Sequence, residues 1–262
     1  MPWVSLDGFR LRYQASGEGP ALVFAHGAGG NHLSWWQQIP HFERAHRCVT
    51  FDHRAFGRSL DEPDGPGRRA FADDLRGLLD HLGIGDAAIV AQSMGGRTAV
   101  GFALRNAGRV RALVLAGTTG GAVSDGVREA QEAHRGTDEG QRPLRARAVA
   151  PHLQHERPEL AHLYHAIGRL NPARPRDFLA PIPNYRGSSA QALAGLGIPI
   201  LFLVGEHDTV TPPDIVRMAH QQVAGSQFDV IAGAGHSAYF EQASPFNERV
   251  SRFLDEAGWT AG

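Results

Sequence analysis

The chain of 262 residues is long enough for one α/β domain with a single core and an insertion. Its hydrophobic share of 42% and charged share of 20% are ordinary for a globular protein, and the net charge of −1 argues against a surface that binds polyanions such as nucleic acid. All 26 basic residues are arginine, which excludes Schiff-base and phosphate-loop lysine chemistry.

Other patterns narrow the protein class further. Cys48, the single cysteine, lies in the strand-like run RCVTFD and is interpreted as a buried structural thiol. No signal peptide or membrane-length apolar run is visible, so we expect a cytoplasmic protein without membrane or nucleic-acid partners. No nucleotide-binding motif occurs, and we expect a small-molecule substrate, no cofactor and no metal. The sequence leaves the oligomeric state open.

Short apolar runs alternate with helical stretches in the first part of the chain, which is typical of βαβ units on a mostly parallel sheet. The pair Asp7-Gly8 predicts an opening β-hairpin. Further strands are predicted in ALVFAHG, CVTFDHR, AAIVAQ and VRALVLAG. Helices are predicted in RAFADDLRGLLDHLG and GGRTAVGFALRNA, the first of them amphipathic.

The pattern changes after Gly117. Residues 118–195 contain no strand-like runs, many arginines, histidines and prolines, and broken helical pieces. Strand-like runs return in IPILFLVGEHD and SQFDVIAGAGH, and the chain closes on the helix SPFNERVSRFLDEAG. We therefore predict a core of residues 1–117 and 196–262, with a helical cap of residues 118–195.

Ser93 stands between a predicted strand and a predicted helix in IVAQSMGG. A tight turn there would expose its hydroxyl at the carboxyl edge of the sheet, where open α/β sheets present their sites. Such a turn needs small residues two positions before and after the serine, and Ala91 and Gly95 satisfy this. The alternative for a serine at this junction is a helix N-cap.

A serine nucleophile needs a base, an acid that orients the base, and donors for the oxyanion. Asp208 ends one late strand in GEHD, and His236 follows the next strand in the glycine-rich loop GAGHS. The run HGAGG after an early strand offers free backbone N–H groups. The chain order is nucleophile, acid, histidine.

Together, His26-Gly27, FDHRAFGRS, QSMGG, GEHD and GAGHSAYFEQASPF resemble the α/β-hydrolase fold family over essentially the whole chain. The resemblance is to the serine-nucleophile subgroup with a helical cap inserted after the sixth strand. It implies an α/β fold with a mostly parallel, eight-stranded sheet flanked by helices. The roles that it implies are nucleophile for Ser93, general base and acid for His236, orienting carboxylate for Asp208, and oxyanion-hole N–H donors for Ala28 and Met94.

Several other polar or aromatic residues invite a role. We interpret His26 as stabilising the turn beside the oxyanion loop, and Asp52 and Arg54 as local hydrogen-bonding structure. Glu206 and Asp229 are rivals of Asp208 for the acid. Four cap histidines are interpreted as a solvated face rather than a metal site: His152, His155, His162 and His165.

Three residues are candidates for contact with the substrate. Arg97 follows MGG at the start of a helix and could meet an acidic substrate group, with a structural salt bridge as the alternative. Gln92 precedes the serine. Trp35 and Trp36 follow the oxyanion loop, and one is expected to pack in the core; Trp35 is the candidate for the pocket.

The predicted function is hydrolysis of a small carboxylic ester or lactone through an acyl-enzyme, in an apolar pocket supplied by the cap. A second possibility is a carbon–carbon bond hydrolase of ring-cleavage products, a group that usually has asparagine before the serine and tryptophan after the histidine. This chain has Gln92 and Ser237 there. A cofactor-free dioxygenase or perhydrolase on the same fold is a third possibility, and a ligand receptor is a fourth.

Overall fold

The computed structural model of this chain describes residues 2–62, 64–175, 178–180 and 187–260. Eight strands form one sheet in the order β1-β2-β4-β3-β5-β6-β7-β8. Their bounds are β1 Trp3–Leu6, β2 Phe9–Ser16, β3 Ala21–Ala25, β4 Arg47–Phe51, β5 Ala87–Gln92, β6 Val110–Ala116, β7 Ile200–Gly205 and β8 Gln227–Ile231.

The sheet is antiparallel at one edge and parallel elsewhere. Strands β1 and β2 form the predicted hairpin, and both turn residues, Asp7 at φ 45° and Gly8 at φ 85°, have the positive φ of a tight hairpin turn. Strand β2 pairs antiparallel with β4, and the other neighbouring pairs are parallel. The predicted α/β fold with a mostly parallel, eight-stranded sheet is confirmed.

Helices follow the strands in chain order. Two short 3-10 helices lie at His32–Trp35 and Gly67–Ala70. The α-helices are α1 Ile39–Phe42, α2 Phe71–His81, α3 Met94–Arg105, α4 Asp125–Arg135, α5 Asp138–Gln141, α6 Leu144–Arg147, α7 Leu153–Glu156, α8 Pro158–Arg169, α9 Ala190–Ala194, α10 Pro213–His220, α11 Ala238–Glu241 and α12 Ala243–Glu256.

The core lies on both faces of the sheet. All five residues of β3 are buried because alternate side chains of the strand enter two different apolar clusters. Leu75 of α2, Phe102 of α3 and Val216 of α10 cover one face. Phe246 and Phe253 of α12 cover the other. The parallel strands therefore all deliver their carboxyl ends to one edge of a rigid layer.

The described part of residues 118–195 contains helices α4 to α9 and no strand. Two of these helices reach the loop after β7, where His134 and Arg147 both contact the carbonyl oxygen of Thr209 at 2.8 Å. Helix α8 reaches the loop after β8 through Tyr164. The helical character of this segment agrees with the expectation, and the boundaries of core and cap stay a prediction.

Cys48 is completely buried in β4, and burial raises the pKa of its thiol to about 12. A thiol in that state is neutral and inert, so Cys48 is a packing residue. Among the described helices, none combines the length and the apolar character needed to cross a membrane.

Candidate active site

Ser93 occupies the sharp turn between β5 and α3. Its backbone has φ 50° and ψ −113°, one of three positive φ values among the described residues other than glycine. Such a conformation costs about 1–3 kcal/mol and persists only where the surroundings impose it. The Ser93 N–H donates to the carbonyl of Ala116 at 2.9 Å, which fixes the turn to β6. Ser93 holds the N-cap position of α3, but its side chain makes no capping hydrogen bond, so capping does not account for the serine.

Small residues make this turn possible, as the sequence indicates. A methyl group on Gly95 would lie 2.2 Å from the carbonyl oxygen of Ala25 in β3, and one on Gly96 would lie 2.5 Å from Thr118. Ala91 is itself fully buried. Helix α3 therefore packs directly on the sheet, which pushes the serine hydroxyl out beyond the strand ends.

Ser93, His236 and Asp208 are joined by two hydrogen bonds. Oγ of Ser93 lies 2.9 Å from Nε2 of His236, and Nδ1 of His236 lies 2.8 Å from Oδ2 of Asp208. A carboxylate only accepts hydrogen bonds, so Nδ1 carries the ring proton and Nε2 is left to accept the serine O–H. This order of hydrogen bonds is that of a Ser-His-Asp relay, in which the proton moves between serine and histidine and the aspartate stays ionised.

Asp208 is itself held in place by hydrogen bonds from the backbone. Its Oδ1 accepts the N–H groups of Val210 and Thr211, both at 2.8 Å, and the side chain is buried. The rival carboxylates lie elsewhere. Glu206 is exposed and accepts the Gly233 N–H, whereas Asp229 pairs with Arg249.

Two backbone N–H groups lie beside the serine. Met94 is the first residue of α3, and the first N–H groups of a helix have no acceptor within that helix. Ala28 lies in the loop after β3, and both residues line the same cavity as Ser93. Among the described residues neither N–H has a hydrogen-bond acceptor. Both are available to an oxyanion; that they bind one stays a prediction.

The loop that carries Ala28 is stabilised by buried polar groups. His26 bonds Gly27 through Nδ1 at 2.8 Å and accepts the His53 N–H at Nε2, at 3.0 Å. Complete burial lowers the pKa of His26 to about 4 and keeps the ring neutral. Asp52 accepts from the His32 and Arg58 N–H groups. The turn-stabilising interpretation of His26 and the structural interpretation of Asp52 agree with these contacts.

Arg54 is also structural, although its partners are not local. Its guanidinium bonds Asp74, twenty residues away, at 2.7 and 3.0 Å, and Asp61 at 3.1 Å. It also lies over the ring of Phe9, 3.6 Å from the centroid. The two ion pairs and the ring contact of Arg54 together join β2, the loop after β4 and α2.

A cavity of about 750 Å³ opens in front of Ser93. Its apolar lining is Ala28, Met94, Val123, Leu144, Leu179, Val210 and Ile215. Its charged lining is Arg68, Arg97, Arg128, Arg135, Arg147, Asp125, Glu129 and Glu132. The prediction of an apolar pocket is therefore wrong, because charged side chains form much of the described lining. Helix α4 turns a charged face toward the cavity, and arginines outnumber carboxylates in its described lining.

The three candidates for substrate contact lie in different environments. Trp35 is fully buried between Phe24 and Tyr239, with ring centroids at 5.2 and 4.5 Å, so a packing role replaces the predicted substrate contact. Gln92 is buried too; its Nε2 donates to the His236 carbonyl at 3.2 Å, and its amide fills the space beside Gly27. Gln92 is not among the described residues that line the cavity, so the structure does not support the predicted contact between Gln92 and the substrate. Arg97 does line the cavity.

Sequence reasoning missed two buried residues that contact the histidine loop. Tyr164 of α8 accepts a hydrogen bond from the Ser237 hydroxyl at 3.0 Å and presses against Gly29 of the oxyanion loop. Glu241 of α11 accepts three backbone N–H groups around the same loop. A carboxylate inside the apolar run AYFE was the available signal for Glu241.

Within the described part of the chain, side chains that could ligate a metal are not clustered. In the described ranges no three histidine, cysteine, aspartate or glutamate side chains are arranged to hold a metal ion. Of the cap histidines, His152 bonds the Gly233 carbonyl at 3.1 Å and stacks edge-on against His207.

Comparison with known proteins agrees with this geometry. Residues 20–243 match the model of the alpha/beta hydrolase fold family. The chain belongs to that family. This α/β hydrolase is 31% identical to a 2-hydroxymuconate semialdehyde hydrolase of Pseudomonas sp. (strain CF600), over 95% of this chain and 92% of the relative.

Two solved structures superpose closely on this α/β hydrolase. A thermophilic esterase from Thermogutta terrifontis gives a TM-score of 0.80 at 26% identity, covering 98% of this chain and 99% of that one. Est816, described as an N-acyl homoserine lactone degrading enzyme, gives 0.80 at 27% identity, covering 96% and 100%. On these likenesses the protein is an enzyme of the hydrolase type.

Proposed function

We propose that this α/β hydrolase cleaves a small carboxylic ester or lactone through an acyl-enzyme formed on Ser93. The observation that carries the proposal is the unbroken relay from the Ser93 hydroxyl through His236 to Asp208, opening into a cavity. The esterase and lactone-degrading structures that superpose on the chain support the same bond type.

The reaction follows from the positions of these groups. As Ser93 Oγ attacks the substrate carbonyl, its proton passes to Nε2 of His236, and Asp208 stabilises the imidazolium through Nδ1–H. The carbonyl oxygen becomes an oxyanion held by the N–H groups of Met94 and Ala28. Loss of one such donor costs about 3–4 kcal/mol of transition-state stabilisation in known enzymes. The alcohol leaves with the proton from His236, which then activates water to release the acid.

The cavity favours a substrate with an anionic group. Burial and the nearby charge of Arg97 lower the pKa of Arg68, so two like charges lie close together in the wall. Both guanidinium groups line the cavity, and a substrate carboxylate bound there would accept charge-assisted hydrogen bonds from them. We assign the carboxylate end of the substrate to this part of the cavity.

Carbon–carbon bond hydrolysis is the second candidate. The relative that is 31% identical to this chain is named a 2-hydroxymuconate semialdehyde hydrolase. Gln92 and Ser237 depart from the residues usual in that group. Because of these two departures, ester or lactone hydrolysis remains the first candidate.

The test compares wild type with Ser93→Ala, using Ser244→Ala on the exposed start of α12 as the matched control. A fluorophosphonate probe should label wild type and Ser244→Ala, and should not label Ser93→Ala. Turnover of p-nitrophenyl esters, lactones and vinylogous diketones is then measured side by side. Preference for the diketone would replace the first candidate by the second. Equal labelling of Ser93→Ala, or oxygen consumption that survives it, would contradict both.

A further inference from the structure

Glu241 is a buried carboxylate at the carboxyl end of α11, only 5% exposed. Its Oε2 accepts the N–H groups of Ala150 at 2.7 Å and Gly235 at 3.0 Å. Its Oε1 accepts the N–H of Ser237 at 3.1 Å. Burial raises the pKa of Glu241, so the ionised side chain depends on these three donors for its stability there.

Two of the three donors are the immediate neighbours of His236 in the chain. One carboxylate thus bonds the backbone directly before and directly after the histidine. The carbonyl of His236 is held in addition by Nε2 of Gln92 at 3.2 Å. Three hydrogen bonds therefore fix the backbone from residue 235 to residue 237, from which the imidazole of His236 projects.

The third donor belongs to the segment between α6 and α7. Ala150 and its neighbour Val149 are buried, and a methyl group on Gly235 would lie 2.4 Å from the Ala150 nitrogen. The histidine loop and this segment are therefore in direct backbone contact. Glu241 is the charged group that joins them.

We propose that Glu241 is the positioning residue for His236, and that it holds Nε2 in reach of the Ser93 hydroxyl by clamping the histidine loop against the Val149–Ala150 segment. Glu241 makes no contact with the reacting atoms and acts through the backbone of residues 235 and 237. The inference rests on the proposed function, because it assigns His236 the role of base.

The test is Glu241→Gln, which keeps the shape of the side chain and removes its charge. The amide has one oxygen for three donors, and its NH2 group must face at least one N–H. We expect kcat for p-nitrophenyl acetate to fall about 10–100-fold with KM unchanged, since small misplacements of a catalytic group cost this much. The rate constant for fluorophosphonate labelling should fall by the same factor.

Glu248→Gln is the matched control, the same change at an exposed position of α12. It should leave kcat, KM and labelling within twofold of wild type. Glu241→Asp keeps the charge and should recover part of the lost rate; it also replaces the glutamine variant in the comparison if that variant does not fold.

The possible outcomes distinguish a failure of the positioning role from a failure of the proposed function. Folded Glu241→Gln with wild-type kcat and labelling rate would overturn the positioning role while leaving the proposed function intact. An increase in KM alone would overturn it too, because the side chain would then act on binding. If wild type itself neither turns over the ester nor labels, the proposed function fails and this inference falls with it.

Discussion

Gly117 lies against His236 so closely that a methyl group on its α-carbon would sit 3.2 Å from Nδ1 of the ring and 3.1 Å from the histidine carbonyl. The same methyl group would lie 3.2 Å from Oδ2 of Asp208. Gly117 follows β6 directly, at φ 58°, so the end of this strand lies directly under the hydrogen bond between Asp208 and His236.

Gly117→Ala should therefore damage catalysis as well as stability. The positive φ costs an alanine roughly 1–2 kcal/mol, and the added methyl group pushes on the hydrogen-bonded pair. We expect kcat/KM to fall about tenfold or more, since misplaced catalytic groups lose rate steeply. The control is Gly108→Ala, at φ 81° with no atom within 4 Å of the added group. Equal loss of activity in both variants would show that backbone strain alone is responsible.

Asp208→Asn should abolish most turnover with the fold intact. The amide can still accept from Val210 and Thr211, but it cannot stabilise an imidazolium or hold the same ring tautomer. In a comparable triad this change costs about 10⁴-fold in kcat. Steady-state kinetics of Asp229→Asn, the nearby carboxylate in β8, serve as the comparison and should match wild type. A large loss in Asp229→Asn would move the acid to that residue.

Arg97→Gln should discriminate against anionic substrates. A hydrogen bond to a charged group contributes about 1.5–3 kcal/mol, and the lower value suits this exposed side chain, so KM for a carboxylate-bearing ester should rise roughly tenfold. KM for its neutral counterpart should change little. Arg252→Gln, on the exposed face of α12, is the control. An equal change for both esters would remove Arg97 from carboxylate recognition.

Acid should destabilise the fold through His26. Its pKa lies at about 4 in the folded protein, so between pH 6.5 and 4 only the unfolded chain binds a proton at this ring. The contribution of the neutral His26 ring to the free energy of unfolding is therefore fully present above about pH 6.5. As the pH drops to 4, the free energy of unfolding falls by about 3 kcal/mol. Buried His53, whose pKa burial also lowers, adds in the same direction.

Urea unfolding of wild type and His26→Asn at several pH values measures this contribution. The variant should be less stable at pH 7, and its stability should depend less on pH in the window below 6.5. Exposed His162→Asn should keep the wild-type slope. Identical slopes for all three proteins would contradict the assignment.

The elements that could be predicted are those with a local signal. Strand β3 is a continuous apolar run, α2 is amphipathic with Leu75, Leu78 and Leu79 buried, and the hairpin has its Asp-Gly turn. The candidate relay was predictable as well, because its members follow strands whose ends share one sheet edge.

The errors concern residues whose environment depends on distant parts of the chain. Trp35 faces Phe24 and Tyr239, the second of which lies some two hundred residues further on, and no local pattern distinguishes it from the exposed Trp36. The charged wall of the cavity arises because α4 directs its polar face inward, an orientation set by packing between helices. The partners of Glu241 are backbone groups, which leave no mark in a sequence.

The described lining of the cavity carries five guanidinium groups, those of Arg68, Arg97, Arg128, Arg135 and Arg147. A lysine-lined pocket would lose its charge as the pH approaches the ordinary lysine pKa of about 10.4, whereas arginine keeps its proton in proteins. Attraction for an anion in front of Ser93 should consequently persist when the solution is made basic. Any decline of the enzyme under such conditions would then originate in the chemistry or the fold, with recognition of the negative group preserved.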